Sequence, residues 1–143
     1  MPAGTAVLVL LAVVVVTVVM GLVMRSRAGR ARPAAGDVVG VAPASHFGEK
    51  ATLVQFSTPT CARCPATARQ LDALAARHPG VARLEIDLTE RPELAARFDV
   101  MQTPTVLVVD SALAVRSRFG GQPRPAEVTS SLTAVLDQEH TGA

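Results

Sequence analysis

The stretch that most constrains the fold of this chain is residues 52–64, TLVQFSTPTCARC. An apolar run is followed by a turn-forming Ser-Thr-Pro-Thr segment, and the stretch ends in the only two cysteines of the chain, Cys61 and Cys64. This order predicts a buried β-strand, a turn and the start of a helix. If Cys64 lies in the first turn of that helix, the two thiols share one face and can close into a reversible disulfide.

The same order predicts that Cys61 is the reactive thiol, because only a thiolate attacks a disulfide sulfur. At the N-terminus of a helix, unpaired backbone N–H groups and the macrodipole favour an anion, so we expect the pKa of the Cys61 thiol to fall. Arg63 adds a positive charge that acts in the same direction. Cys64 is then the more buried thiol, which resolves the mixed disulfide.

Two other interpretations of the cysteine pair are a zinc site and a structural role. A zinc site needs about four ligands. The chain has no other cysteine, and its histidines, at positions 46, 78 and 140, lack ligand spacing. We therefore predict no metal site. The second alternative is a pair of structural cysteines without chemistry, because free cysteine is often a small core residue.

These residues resemble the thioredoxin family, from about Val38 to the C-terminus. Residues 81–87, VARLEID, resemble the central strand that follows the active-site helix in the family, and residues 102–105, QTPT, resemble its cis-proline loop. Gly120 stands where the family has a glycine at the end of its last strand. The resemblance implies an α/β fold with a central mixed sheet flanked by helices. Because little chain precedes the motif, we expect the family's first strand and helix to be trimmed.

The resemblance also implies an activity, namely a thiol-disulfide oxidoreductase that needs no cofactor besides the Cys61–Cys64 disulfide. Thr103 and a cis Pro104 would face the cysteines, and the backbone of Thr103 would pair with an extended segment of the substrate. The expected partners are protein or small-molecule disulfides and an electron donor, either a thioredoxin reductase or a membrane protein. A redox-inert binding module and a thiol carrier or sensor that uses Cys61 are the alternatives.

The chain departs from the family pattern beside the cysteines. Thr60 stands where the family usually has an aromatic residue, and Ala62 and Arg63 stand where it commonly has Gly-Pro. Gln55 replaces a carboxylate that many members bury on this strand. Because glutamine cannot accept a proton, deprotonation of Cys64 would depend on water or another group. This predicts slow resolution or a different redox poise.

Periodicity predicts the remaining elements. Helical spacing follows Cys64 and recurs at 89–98 and 125–138, whereas strand patterns occupy 81–87, 105–109 and 115–119. Val38, Val39 and Val41 predict a short edge strand, and residues 43–48 predict a turn or one helical turn.

The N-terminal segment predicts a membrane anchor. Residues 5–24 carry no charge and consist mostly of valine and leucine, and about 20 such residues span a bilayer as a helix. No basic residue precedes this run, which argues against a cleaved signal peptide. The predicted organisation is a transmembrane anchor at 1–24, a basic flexible linker at 25–36 and a thioredoxin-like domain at 37–143.

Charge predicts the orientation and excludes one class of partner. Arginines at 25, 27, 30 and 32 follow the apolar run directly. By the positive-inside rule these arginines predict that the folded domain lies in the cytoplasm, with the opposite orientation as the alternative. The arginines also favour contact with anionic lipid headgroups. The rest of the chain carries 10 basic and 12 acidic residues, and the chain has no Trp or Tyr. We therefore predict no nucleic-acid binding.

Overall fold

The computed structural model of the protein describes residues 3–142. In chain order its elements are α1 (Ala3–Arg27), β1 (Ala31–Pro33), a short 3-10 turn (Ala44–His46), β2 (Ala51–Ser57), α2 (Cys64–Ala76), β3 (Val81–Asp87), α3 (Pro92–Arg97), β4 (Thr105–Asp110), β5 (Val115–Gly120) and α4 (Pro125–Thr141).

The strands form one mixed sheet in the order β1-β5-β4-β2-β3. Strand β2 is parallel to β3, which it reaches through α2, and antiparallel to β4. Strands β4, β5 and β1 continue the sheet in antiparallel pairs. Both β2 and β4 are buried along their whole length, as expected for apolar strands that are covered on both faces. The predicted mixed sheet flanked by helices is confirmed.

Two apolar clusters cover the two faces of the sheet. On one face, side chains of β2, β4 and β5 pack against α2 and α4, with Leu53, Leu71, Phe119 and Leu132 fully buried. On the other face, Phe56 and Leu107 pack with Leu94 of α3 and with residues that precede β2. Because helices α2 and α4 are fixed by their leucines, the turn between β2 and α2 is held on a rigid frame.

Strand β3 forms where the sequence predicted it, but it is an edge strand and not the central strand that the resemblance implied. Within residues 3–142, β3 pairs with β2 alone. The reason lies in the chain before β2. Among the described residues before β2 the only strand is β1, and it pairs with β5 at the opposite edge of the sheet.

The edge strand predicted from Val38, Val39 and Val41 was wrong. The amide of Val41 donates to the carbonyl of Val38 at 3.2 Å, which closes a turn, and Gly40 has a φ of +76°. The turn buries Val38 and Val41 in the core and leaves Val39 exposed, so packing against the sheet determines the conformation here. The helical turn predicted within 43–48 is confirmed at Ala44–His46.

Helix α1 is longer than the apolar run, because its last turn includes Arg25 and Arg27. It is long and apolar enough to cross a membrane, and none of its residues is buried by the rest of the protein. The segment 25–36, predicted as a flexible linker, contains the end of α1 and strand β1. A three-residue strand of Ala, Arg and Pro carries no alternating pattern, so the sequence did not indicate it.

Candidate active site

The turn between β2 and α2 positions the two cysteines. The amide of Cys61 donates to the carbonyl of Thr58 at 3.1 Å, and the amide of Cys64 donates to the carbonyl of Cys61 at 3.3 Å. Helix α2 begins at Cys64, and Pro65 follows in its first turn, where a missing N–H costs least. Cys64 thus lies in the first helical turn as predicted, whereas Cys61 lies in the turn that leads into the helix rather than within it.

The two sulfurs form a disulfide, with the Cα atoms of Cys61 and Cys64 5.4 Å apart. Cys64 is only 4% exposed, whereas Cys61 is half-buried. The sulfur that a second molecule can approach is therefore that of Cys61. Within residues 3–142, no group of His, Cys, Asp or Glu side chains is placed to hold a metal ion.

The proline loop lies at the same end of the sheet as the cysteines. The Thr103–Pro104 peptide bond is cis, as the resemblance implied, and Pro104 is buried while Thr103 is half-buried. Thr105, the next residue, pairs with Phe56 near the end of β2. The carbonyl of Pro104 accepts the amide of Gly121 at 2.8 Å. The sheet register thereby places Thr103 and Pro104 beside the strand end from which the cysteine turn departs.

Gln55 lies beneath the disulfide and is fully buried. Its Nε2 donates to the carbonyl of Cys64 at 3.1 Å. Its Oε1 is also buried, and within residues 3–142 it has no hydrogen-bond partner. An unpaired buried acceptor costs about 1–3 kcal/mol. The sequence indicated that Gln55 replaces a carboxylate, but only the structure shows this vacant acceptor beside Cys64.

A model of the family described as Thioredoxin matches residues 44–134, well over half of the chain. The chain belongs to the thioredoxin family. A thioredoxin of Staphylococcus aureus is 36% identical over 87 residues, which cover 60% of this chain and 79% of the relative. The matched region begins after α1 and β1, so both elements lie outside the part shared with the family model.

Solved thioredoxins have the same fold. Fasciola hepatica thioredoxin superposes with a TM-score of 0.53 at 25% identity, over 61% of this chain and 82% of that one. Thioredoxin-2 of a malaria parasite gives a TM-score of 0.57 at 16% identity, over 72% of this chain and 96% of that one. With its Cys61–Cys64 disulfide, the protein is a thioredoxin-like oxidoreductase. Membership of the family implies protein disulfide substrates and a reductase partner.

The two acidic residues of β3, Glu85 and Asp87, are already engaged in hydrogen bonds. Glu85 is exposed and accepts hydrogen bonds from Ser57 Oγ and from Arg83 Nη1, each at 2.9 Å. At Asp87, hydrogen bonds from the side chain and then the backbone of Thr89 lower the pKa of the carboxyl. Neither carboxylate therefore replaces the buried acid of other thioredoxins.

Arg83 forms an ion pair with Asp72 at 2.5 Å and with Glu85 at 2.9 Å. Partial burial lowers the pKa of its guanidinium, but the hydrogen bonds to these two carboxylates outweigh that effect and the pKa rises. Arg83 thus joins the edge strand β3 to helix α2 and stays charged. It does not contact the cysteines by any hydrogen bond among the described residues.

The rim of the thioredoxin site is polar and exposed. Thr60, Ala62 and Arg63 are all exposed around Cys61. Within residues 3–142, the guanidinium of Arg63 makes no ion pair. The side chains of these three residues are thus exposed to solvent, while the carbonyl of Arg63 accepts hydrogen bonds from the amide and hydroxyl of Thr67 at the start of α2.

Sequence reasoning missed a cleft beside the proline loop. The cleft has a volume of about 430 Å³, and its walls include Arg32 and Pro33 of β1, Met101, Gln102 and Arg118. Met101 is 85% exposed, a large apolar side chain held in solvent close to Thr103. One wall of the cleft is β1, which had no recognisable pattern in the sequence, so no signal in the sequence could have revealed it.

Proposed function

We propose that this protein is a membrane-anchored thiol-disulfide oxidoreductase that reduces protein disulfides, with Cys61 as the nucleophile and Cys64 as the resolving thiol. The observation that carries the proposal is the disulfide between a half-buried Cys61 and a buried Cys64 at the end of β2, beside the proline loop. A substrate can reach the sulfur of Cys61, whereas the buried sulfur of Cys64 can react only with Cys61.

The reaction proceeds as two exchanges of thiolate for disulfide. The Cys61 thiolate attacks one sulfur of the substrate disulfide, and the other substrate sulfur leaves as a thiolate. Cys64 then loses its proton and attacks the Cys61 sulfur of the mixed disulfide. This step releases the second substrate thiolate and forms the Cys61–Cys64 disulfide. A thioredoxin reductase or a membrane electron donor returns two electrons and two protons to the cysteines.

Gln55 takes no proton in this cycle. Water carries the proton away from Cys64, because the carboxylates of Glu85 and Asp87 are held by other partners. In the reduced state the free Oε1 of Gln55 is an acceptor for the Cys64 thiol. Gln55 thus favours the protonated form of Cys64 and slows its attack.

The substrate segment binds to the backbone of Thr103. The half-buried Thr103 precedes a buried Pro104 and lies beside the end of β2, so an extended peptide at this edge reaches the sulfur of Cys61. Such binding uses main-chain hydrogen bonds and accepts many sequences. The exposed Thr60, Ala62 and Arg63 form the other side of the contact.

In this proposal helix α1 is the membrane anchor and the domain faces the cytoplasm. The length and apolar character of α1 support the anchor, and the arginines after its apolar run support the orientation by the positive-inside rule. The cytoplasm keeps thiols reduced, so reduction is the direction of catalysis there. An impermeant thiol reagent added to intact cells under reducing conditions should leave Cys61 unlabelled. Labelling of Cys61 at the rate of an external control thiol would reverse the orientation.

The activity is tested with the purified full chain in detergent, dithiothreitol as the reductant and a disulfide-bonded protein as the substrate. We expect Cys61→Ser to abolish the protein-dependent rate, because no nucleophile remains at the accessible position. Ala73→Ser is the matched control, since it adds a hydroxyl at an exposed position of α2 away from the substrate contact and keeps both thiols. Activity that survives Cys61→Ser would reject the mechanism.

A further inference from the structure

Helix α1 is joined to the domain through Gly29, which is buried. Its amide donates to the carbonyl of Gly120 at 3.2 Å, and its carbonyl accepts the amide of Arg124 at 3.1 Å. Gly29 has a φ of +69°, and a Cβ placed on it would lie 2.4 Å from the carbonyl oxygen of Gln122. Both the conformation and the close approach require glycine here.

Contacts on both sides of Gly29 complete this joint. Before it, the carbonyl of Ser26 in the last turn of α1 accepts a hydrogen bond from Arg124 Nη2 at 3.0 Å. After it, the amide of Ala31 donates to Glu127 Oε2 at 2.9 Å, and Ala31 pairs with Phe119 of β5. We call residues 26–31 and these partners the Gly29 joint. The residues between α1 and β1 are thus held and do not form a flexible tether.

The Gly29 joint lies at the same end of the sheet as the cysteines. Strand β5 ends there at Gly120, and the next residue, Gly121, donates to the carbonyl of Pro104. The joint leads into β1, and strands β1, β5, β4 and β2 lie side by side, so the joint and the cysteine turn are about 14 Å apart across the sheet. The turn between β4 and β5, which contains Ala112, lies at the opposite end, about 20 Å away along the strands.

The end of α1 fixes the height of this site above the bilayer. If the uncharged run ends at residue 24, Gly29 follows about 7 Å farther along the chain. The arginines at 25, 27, 30 and 32 are all exposed around the joint, where each favours contact with anionic headgroups. A flexible linker would let the domain drift away from the surface, but the joint removes that freedom.

We propose that the Gly29 joint holds the Cys61–Cys64 pair facing the membrane surface, and that the substrate is a disulfide at that surface in another integral membrane protein. This inference rests on the proposed function and narrows its substrate class. The chemistry is the exchange described above, in which the disulfide of the membrane protein takes up two electrons and two protons as Cys61 and Cys64 are oxidised. Met101, 85% exposed at the same end of the sheet, offers an apolar contact to such a partner.

The first test measures depth in the full chain, reconstituted in vesicles of phosphatidylcholine and phosphatidylglycerol. One sample carries a fluorophore on Cys61 in a Cys64→Ser chain. The other carries it on Ala112→Cys in a chain with both native cysteines replaced by serine. Lipids with a headgroup nitroxide should quench the label at position 61 several-fold more strongly, because the nitroxide acts only at short range. Equal quenching at both positions would overturn the inference.

The second test compares disulfide peptides attached to the same vesicles, either directly at the headgroup or through a polyproline spacer of about 50 Å. We expect the wild-type chain to reduce the surface disulfide at least roughly tenfold faster than the distant one, because a fixed site cannot reach the latter. Equal rates would contradict the inference. Failure to reduce either peptide, or the same disulfide free in solution, would instead reject the proposed function.

Variants distinguish the effect of the Gly29 joint on the two rates from the effect of the membrane helix. Gly29→Ala should reduce the ratio of the two rates towards one, while the matched Gly21→Ala, whose Cβ meets nothing within 4 Å, should leave it unchanged. A short Gly-Ser insertion between Ala28 and Gly29 keeps Gly29 docked and frees only the helix. The insertion should also bring the ratio of the two rates close to one. A ratio that stays near the wild-type value after this insertion would contradict the proposal even if Gly29→Ala failed to fold.

Discussion

The most informative substitution at the disulfide is Gln55→Leu, which replaces a fully buried amide by an apolar side chain of similar length. In the oxidised protein it removes the hydrogen bond from Nε2 to the carbonyl of Cys64, at a net cost of about 1 kcal/mol. It also removes the unpaired Oε1, which relieves about 1–3 kcal/mol. The two effects together should stabilise the oxidised protein by about 1 kcal/mol.

The reduced protein should not gain in the same way. There we expect the freed Cys64 thiol to donate to Gln55 Oε1, which lies on the side chain that already binds the Cys64 carbonyl and has no other partner among the described residues. The acceptor is then paired and the substitution relieves nothing. Stabilising only the oxidised form makes the disulfide harder to reduce. The lost Nε2 hydrogen bond costs both forms alike, so the two forms differ by the relief at Oε1, about 1–3 kcal/mol. This difference corresponds to a reduction potential about 20–60 mV more negative.

The assay is urea unfolding of the full chain in detergent, run separately on the oxidised and reduced proteins, together with a redox titration read by thiol alkylation. Gln70→Leu is the matched control. It removes a similar hydrogen bond, from Nε2 to the carbonyl of Pro123 at 3.0 Å, on a half-buried side chain away from the disulfide. It should lower the stability of both forms equally and leave the potential unchanged. Destabilisation of the oxidised form by Gln55→Leu, or a more positive potential, would refute the reasoning.

Three further predictions concern stability and pH dependence. Leu71→Ala removes a fully buried side chain of α2 and should lower the free energy of unfolding by about 2–5 kcal/mol in denaturant titrations. Leu136→Ala removes a half-buried side chain and should lower the free energy of unfolding by less. Equal losses would contradict this packing. Asp110 is buried and accepts hydrogen bonds from the amides of Ala112 and Ala114 and from Arg116, so Asp110→Ala should destabilise the chain by about 2–4 kcal/mol, and unchanged thermal unfolding would argue against these bonds. Hydrogen bonds from Thr89 lower the pKa of the Asp87 carboxyl. The stabilisation from the ionised carboxylate is therefore present above the ordinary carboxyl pKa and is lost as the pH falls through the lowered pKa. Thr89→Val should destabilise the protein at pH 7 but not in strong acid, and a loss of the same size at both pH values would reject this linkage.

The sequence predicted the elements whose patterns are local. Strand β2, the cysteine turn and helix α2 follow directly from an apolar run, turn-forming residues and helical spacing. The cis bond before Pro104 was predicted through the resemblance alone, because nothing local in QTPT distinguishes the two isomers. These features were sufficient to indicate the fold and the cysteine pair.

Features that depend on distant contacts could not be predicted. Strand β1 exists because Ala31, Arg32 and Pro33 pair with β5, and its own residues favour no strand. Val38 and Val41 looked like a strand but are buried through a turn that Gly40 permits. The vacant acceptor on Gln55 arises because the rest of the core leaves its Oε1 without a donor, which no local pattern encodes.

The position of the site relative to α1 was also beyond sequence reasoning. Residues 25–36 suggested a flexible basic linker, because the segment is rich in arginine, alanine and glycine. The joint depends on Gln122 and Arg124, which lie far along the chain from Gly29. Only the assembled sheet brings these residues together.

Trapping the mixed disulfide distinguishes the attacking thiol, Cys61, from the resolving thiol, Cys64. Reduced full-length Cys64→Ser protein is mixed with a disulfide-bonded peptide, quenched with acid and mapped by mass spectrometry. We expect one peptide per chain, attached to Cys61, and no comparable adduct on Cys64 in the Cys61→Ser protein. Adduct formation on Cys64 at a rate equal to that on Cys61 would contradict this expectation.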